Sequence, residues 1–347
     1  MSTTFFPDEK GQSLLLKTII NQGLCVQCGA CVGHCPYFDF FDGRIMAMDT
    51  CNSDTGRCIE ICPQLENEDA FFEQPPEHPI GTFREIYIAR ALAPSIRDQA
   101  QYGGIVSSIL TYALKKGFVQ SAVLTNRGEG SAPHGVIAES EKDILACAGS
   151  RYSSSASLSA LNNAVRENRE GIAVVGLPCQ MKSLARMKSV DNDKIGNRIA
   201  LSIGLFCTWS ISYRELSRHL IHEGIPSNII KCDIPPPPSQ LFKVQTHDGW
   251  FELPLDTIRP YIHKGCARCL DMTAEYSDIS VGTVEDKEGW NTVIVRSDVG
   301  MEIMNMAKND GIIETRELPE TNLEHLKKAA ANKKERGLSA RKDKELP

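Results

Sequence analysis

The chain has little that suits it to a membrane or to nucleic acid. None of its 347 residues fall in a run approaching the roughly 20 apolar residues that a bilayer-spanning helix needs. The segment "IALSIGLFC" is too short for that and reads as a buried strand. The opening "MSTTFFPDEKGQ" has no basic region followed by an apolar run, so no signal peptide is expected. Cations are not in excess either: 38 Lys and Arg stand against 44 Asp and Glu, a formal net charge of -6. Without a surplus of cations to neutralise phosphates, no nucleic-acid partner is expected. These absences lead to the expectation of a cytoplasmic protein whose only membrane association is peripheral, on a membrane complex.

Cysteine, by contrast, is abundant, with 13 in the chain, seven of them between Cys25 and Cys62. In a reducing compartment such density excludes a disulfide framework and points to metal-ligating thiolates. Hydrophobic residues make up 41%, enough for a sizeable core in two domains.

Composition divides the chain into four parts. Residues 1–66 hold the clustered cysteines. Residues 67–82, within a polar, Pro-containing stretch, read as a linker. Residues 83–325 alternate strand and helix signals: "EIYIARAL", "VQSAVLTN", "GIAVVGLPCQ" and "RIALSIGLFC" as strands, "GGIVSSILTYALKKGF" and "SASLSALNNAVREN" as helices. That alternation predicts an α/β domain with a mainly parallel sheet. "KVQTHDGWFELPL" reads as a hairpin turning at Asp248-Gly249. Residues 326–347 form a basic, polar tail, read as a solvated helix, with docking onto an acidic partner as the alternative.

Cys25-x2-Cys28-x2-Cys31-x3-Cys35-Pro is the spacing of bacterial ferredoxins that hold [4Fe–4S] clusters. Three closely spaced thiolates reach three irons of one cubane, and the fourth points to a second cluster. Zinc is the competing reading, but zinc knots use separated pairs, and the third cysteine and terminal Cys-Pro favour iron–sulfur. Cys58-x3-Cys62-Pro repeats the end of the pattern, so Cys62 is expected to complete the first cluster with Cys25, Cys28 and Cys31. The second cluster then has Cys35, Cys51 and Cys58. The missing thiolate falls at Thr55, which leaves either a [3Fe–4S] cluster or an oxygen ligand from Asp54. The plain alternative is that Cys51 is only a buried thiol and one cluster exists. Farther on, Cys179 and Cys207 each follow a predicted buried strand. Strand ends of a parallel sheet meet at one edge, where they can join the pair Cys266 and Cys269 in a closed metal site. Cys147 and Cys232 have no partners in spacing and read as structural.

The segments "ARALAPSIRDQAQYGGIVSSILTYALKKGF", "AGSRYSSS", "GLPCQ" and "GCARCLDMTAEYSDISVGTVEDKEGWNTVIVR" resemble, in order, the β-subunit family of coenzyme F420-reducing hydrogenase. That family includes the input subunit of F420H2 dehydrogenase, formate dehydrogenase β-subunits and bacterial relatives. The resemblance covers residue 82 to the C-terminus. It implies a bacterial-ferredoxin-like α+β module followed by a mixed-sheet α/β flavin domain, carrying FAD and a [4Fe–4S] cluster on Cys179, Cys207, Cys266 and Cys269. With the N-terminal module, two [4Fe–4S] clusters and a third, [3Fe–4S] or [4Fe–4S], are expected. Gly103, Gly104 and Ser107 match the flavin loop, and Ser150, Arg151, Tyr152 and Ser153 are expected to contact the flavin. Because FAD performs the chemistry, no catalytic side chain is named. Arg127, Arg151, Lys264 and Arg268 are candidates for the acidic tail of F420. The implied partners are hydrogenase, formate dehydrogenase, heterodisulfide reductase or F420H2 dehydrogenase subunits. The alternatives are a relative using NAD(P)H, ferredoxin or another donor, and a non-catalytic relay adaptor.

Overall fold

The computed structural model describes residues 11–53, 56–65, 79–126, 132–191, 194–236 and 238–342. Most of the expected linker, Asp54, Thr55 and Arg127 therefore lie outside the described residues. The strands are β1 Phe38–Phe41, β2 Arg44–Ala47, β3 Glu85–Ala91, β4 Ser121–Thr125, β5 Gly135–Ala138, β6 Ile172–Gly176, β7 Ile199–Leu205, β8 Lys231–Asp233, β9 Leu241–Thr246, β10 Gly249–Pro254, β11 Ile279–Thr283, β12 Asn291–Val295 and β13 Ile313–Arg316.

Eight of these form the main sheet, in the order β13-β3-β12-β11-β7-β6-β4-β5. Its centre is parallel, β11·β7, β7·β6 and β6·β4, while both flanks are antiparallel. The sheet is thus mixed, as the family resemblance implied, and the expectation of a mainly parallel one from the strand–helix alternation is corrected. "EIYIARAL" and "VIVR" gave no sign of direction, because strand pairing is chosen by non-local contacts that a strand's own pattern does not encode.

Period-two alternation splits the strand side chains between two cores. Ala173 and Val175 of β6 join Ile105, Ile109, Leu110, Leu201, Ile203 and Val293 on one face. Ile172 and Val174 join Leu158, Leu161, Met181 and Leu184 on the other. The helix Ile105–Lys115 forms because its apolar residues recur every three or four positions, and it stops at Gly117, whose φ is +69°.

Three smaller units surround this sheet. The two-stranded β1·β2 ribbon packs Phe38 and Ile45 with Leu15, Ile19 and Cys58 in the cysteine-rich segment. The strands β10-β9-β8 form a separate sheet around Phe242 and Val244. In it Gly249 pairs directly with Thr246, so the two-residue loop is His247-Asp248, one residue before the expected turn. Gly249, at φ +126°, opens the return strand instead. Finally, the helix Glu320–Lys342 buries Ala330, Lys333 and Gly337, which corrects the reading of the tail as a solvated helix.

The cysteine-rich segment is not a separate bead. Val26, Cys28, Ala30 and Ile61 belong to the same apolar core as Leu158, Met181 and Leu184. Asn162 donates from Nδ2 to the carbonyls of Ala30 and Val32, each at 2.8 Å. Ser183 Oγ donates to Ile61 O at 2.6 Å, and Arg186 donates to Cys62 O. Among the described residues no helix is long and apolar enough to cross a membrane.

Candidate functional site

The loop around Cys25, Cys28 and Cys31 turns by placing Gln27, Gly29 and Gly33 at positive φ, which wraps backbone around an enclosed space. A pocket lies there, lined by Cys25, Cys28, Cys31 and Cys62 together with Ile19, Ile61 and Pro63. The short helix Arg57–Glu60 carries Cys58 on its own turn and delivers Cys62 just past its end. Cys62 acts electrostatically on Cys25, Cys28 and Cys31, so the structure brings these four thiols together. Cys58 instead faces Cys35 and Cys51. Its loop is held by Gln12, which accepts from Cys51 N at 2.8 Å and donates to Asp49 O at 2.9 Å.

A third group lies at the carboxyl edge of the parallel strands. β6 runs into the helix Pro178–Val190, with Pro178 in its first turn, where no backbone N–H is needed. Gln180 accepts from Leu177 N at 2.7 Å and donates to Ser155 O and Ser157 Oγ, which fixes the "GLPCQ" turn and Cys179 within it. Cys207 follows β7, and its N–H donates to Met272 O. Cys266 and Cys269 flank the end of the short helix Lys264–Ala267. Cys179 lies in the field of Cys207, Cys266 and Cys269, and also of Cys28.

Burial, reinforced by neighbouring thiols, pushes Cys25 and Cys28 up to about 12 and holds Cys31 and Cys179 well above the ordinary thiol range. Burial likewise raises Cys207 to about 12, against the pull of nearby Lys333. A dry cage of several thiols ionises only when a multivalent cation compensates it. Among the described residues no three His, Cys, Asp or Glu side chains converge on a single metal ion. The donor set, thiols alone in a dry cage, fits iron–sulfur clusters.

The two loops expected at the flavin also meet. Gln101 Nε2 and Tyr102 Oη donate to Asp233 Oδ1 at 2.8 and 3.0 Å. Tyr152 Oη reaches the same oxygen at 3.5 Å and accepts from Ile234 N at 3.0 Å. Ser150 N donates to Gln101 Oε1 at 3.5 Å, and Arg151 donates to Ser150 O. Ser153 pairs with Ile211 in an isolated bridge. Gly104, at φ +73°, precedes the helix Ile105–Lys115, on which Ser107 is buried. A Cβ on Gly103 would meet Ala89 O and Asn291 at 2.7–2.9 Å, so this glycine is required by close packing against β3 and β12. Of the candidate anion-binding cations, Lys264 is exposed beside Gly23, and Arg268 is half-buried near the helix Glu320–Lys342.

Three sequence signatures match the chain. The N-terminal part of the coenzyme F420 hydrogenase/dehydrogenase beta subunit matches residues 86–162, its C terminus residues 169–321, and a 4Fe-4S binding domain residues 18–38. The coenzyme F420 hydrogenase subunit beta of Methanothermobacter thermautotrophicus is 33% identical over 77% of this chain and 98% of its own length. The chain belongs to the coenzyme F420 hydrogenase/dehydrogenase beta-subunit family. One of the F(420)H(2) dehydrogenase subunits of Methanosarcina mazei is 29% identical, with 88% of both chains covered. A chain of the F420-reducing [NiFe] hydrogenase complex from Methanosarcina barkeri superposes with a TM-score of 0.70 at 29% identity, covering 77% of this chain and 94% of that one.

Several residues of this family member escaped sequence reasoning. Gln12 and Asp233 carry no motif and act only through partners remote in sequence. Ser154 Oγ donates to Gln27 Oε1 at 2.7 Å and lies 2.7 Å from His263 Nε2, linking the cysteine loop, the "SRYSSS" loop and the approach to Cys266. Burial lowers His263 to about 4, so its ring is neutral near pH 7. Only the serine run hinted at a polar junction there.

Proposed function

We propose that the chain is the input subunit of an oxidoreductase complex, exchanging hydride with coenzyme F420 at FAD and passing single electrons through iron–sulfur clusters. Carrying this reading is the serial arrangement of the three thiol groups. Cys28 acts electrostatically on Cys179, and Cys58 on Cys31, so the groups follow one another in the order Cys179/Cys207/Cys266/Cys269, Cys25/Cys28/Cys31/Cys62, Cys35/Cys51/Cys58. The first group also abuts the proposed flavin loops, because Gln180 bonds Ser155 and Ser157 and His263 approaches Ser154.

FAD, when bound, supplies the step between two-electron hydride chemistry and one-electron transfer. Gly103 and Gly104 would let its pyrophosphate approach the start of the helix Ile105–Lys115, with Ser107 adding a hydroxyl. Ser150, Arg151, Tyr152 and Ser153 would line its other side. Burial and the Asp233 carboxylate hold the Tyr152 phenol far above its ordinary range, so it stays a neutral hydrogen-bonding group. Asp233, through Gln101, Tyr102 and Tyr152, keeps the two loops in register. Partner subunits of the hydrogenase, formate dehydrogenase, heterodisulfide reductase or F420H2 dehydrogenase type would dock at the Cys35/Cys51/Cys58 end, in the cytoplasm.

Metal and flavin analysis with stopped-flow reduction tests this. Anaerobically purified protein is expected to hold one FAD and about eleven or twelve irons, and F420H2 is expected to bleach its flavin absorbance. Bleaching by NADH or ferredoxin but not by F420H2 would replace the donor, and no bleaching by any small donor would leave a relay adaptor. Stoichiometric zinc would overturn the reading as a whole.

A further inference from the structure

The helix Glu320–Lys342 begins where the family match ends, at residue 321, and Leu323, Leu326 and Ala330 pack its first half with Ile80 and Ile294. Its second half docks along one face through residues spaced by fours. Lys333 Nζ donates to Cys207 O at 2.5 Å, and Arg341 Nε donates to Arg268 O at 3.0 Å. Between them Gly337 lies so close that a Cβ would stand 2.7 Å from Cys269 O and 2.6 Å from Leu270 Cδ2. The helix therefore covers the segment that bears Cys266 and Cys269.

Lys333 is only 3% exposed. An ammonium so far from water is costly unless anions face it, and one carbonyl oxygen is not an anion. The groups that do face it are Cys207, Cys266, Cys269 and Asp271. Both Asp271 oxygens already accept backbone N–H groups, from Thr273 and Glu275. The Asp271 carboxylate contributes one negative charge; the rest is that of the thiolates, present only when they hold metal.

We propose that Lys333 is a positioning residue whose fixed positive charge, delivered by the C-terminal helix, raises the reduction potential of the cluster on Cys179, Cys207, Cys266 and Cys269. This rests on the reading that these four thiolates hold a cluster. Reduction adds one electron and one negative charge to such a cluster, with no bond made or broken and no proton required. A neighbouring ammonium stabilises the more negative state, and net charge is among the levers that set such potentials. The helix thus biases where an electron rests in the wire, at the member nearest the proposed flavin loops.

The experiment is an EPR-monitored redox titration of the anaerobic full-length holoprotein, with Lys333→Gln and Lys333→Arg beside the parent. Gln keeps a donor for Cys207 O but no charge; Arg keeps the charge. The expected result is that one cluster signal moves to more negative potential in K333Q, the others stay, and K333R restores it. Loss of about four irons in K333Q but not in K333R would also support the charge. An unmoved potential in K333Q with full iron content would overturn the proposal, as would equal iron loss in K333Q and K333R. A parent protein lacking the irons of this site would instead sink the cluster assignment, before Lys333 is at issue.

Discussion

Gly29→Ala tests whether the cysteine loop and the α/β domain form one body. Gly29 has φ +87°, and a Cβ there would stand 2.5 Å from Ala156 O, 2.6 Å from Ala156 C and 2.8 Å from its Cα. All three are backbone atoms, so no rotamer change relieves the overlap. The left-handed conformation costs a non-glycine residue about 1–2 kcal/mol, and forced overpacking adds about 1–3 kcal/mol. The combined penalty is about 2–5 kcal/mol, a large share of the roughly 5–15 kcal/mol that holds a typical fold. Gly117→Ala supplies the control: its φ is +69° with nothing within 4 Å, so it carries the backbone cost alone. At about 2 °C per kcal/mol for a chain of this size, G29A lowers the melting temperature by about 4–10 °C and G117A by about 2–4 °C. Both are read anaerobically, at one scan rate, from visible iron–sulfur absorbance and far-UV circular dichroism. In G29A the iron signal is expected to fade with or before the fold. Equal shifts in the two variants, with iron retained, would refute the claim that the loop is seated on residue 156.

Other perturbations address separate joints. Asn162→Ala strands the buried carbonyls of Ala30 and Val32; at about 1–3 kcal/mol each, amide exchange is expected to accelerate across residues 28–33. Cys58→Ser is expected to remove only the three or four irons of the Cys35/Cys51/Cys58 group, read as iron per chain and a single lost EPR signal. Burial, then the neighbouring Asp271, raises Glu275 to about 7. Its folded state favours the protonated acid, so the stability it contributes is present below its unfolded range and lost as pH rises through about 7. Glu275→Gln should therefore raise the melting temperature at pH 8 and leave it little changed at pH 5.

The cysteine loop was legible in the sequence because its thiols are close together along the chain. Cys25, Cys28 and Cys31 meet through local turns, and spacing alone specifies those turns. Even the crossover of Cys62 to the first group could be anticipated, since the same pattern repeats. The "GLPCQ" turn was legible for the same reason: a proline opening the helix and Gln180 capping it are both local. Strand direction was not, and the sheet proved mixed because pairing partners are set by burial across the whole domain. The hairpin turn moved by one residue, a register choice made by the strands on either side of His247-Asp248.

What the sequence alone determined is the inventory: thiolates at cluster spacing, glycines before a helix, and the family to which they belong. Only the tertiary structure decided how these parts connect. It buried the cysteine loop in the α/β domain's own core, put Cys28 within the field of Cys179, and tied two loops to Asp233. It also brought Lys333 onto the carbonyl of Cys207, 126 residues away. Such contacts follow from packing, where any buried charge must find its counter-charge wherever the chain provides one, and no spacing along the chain records that search.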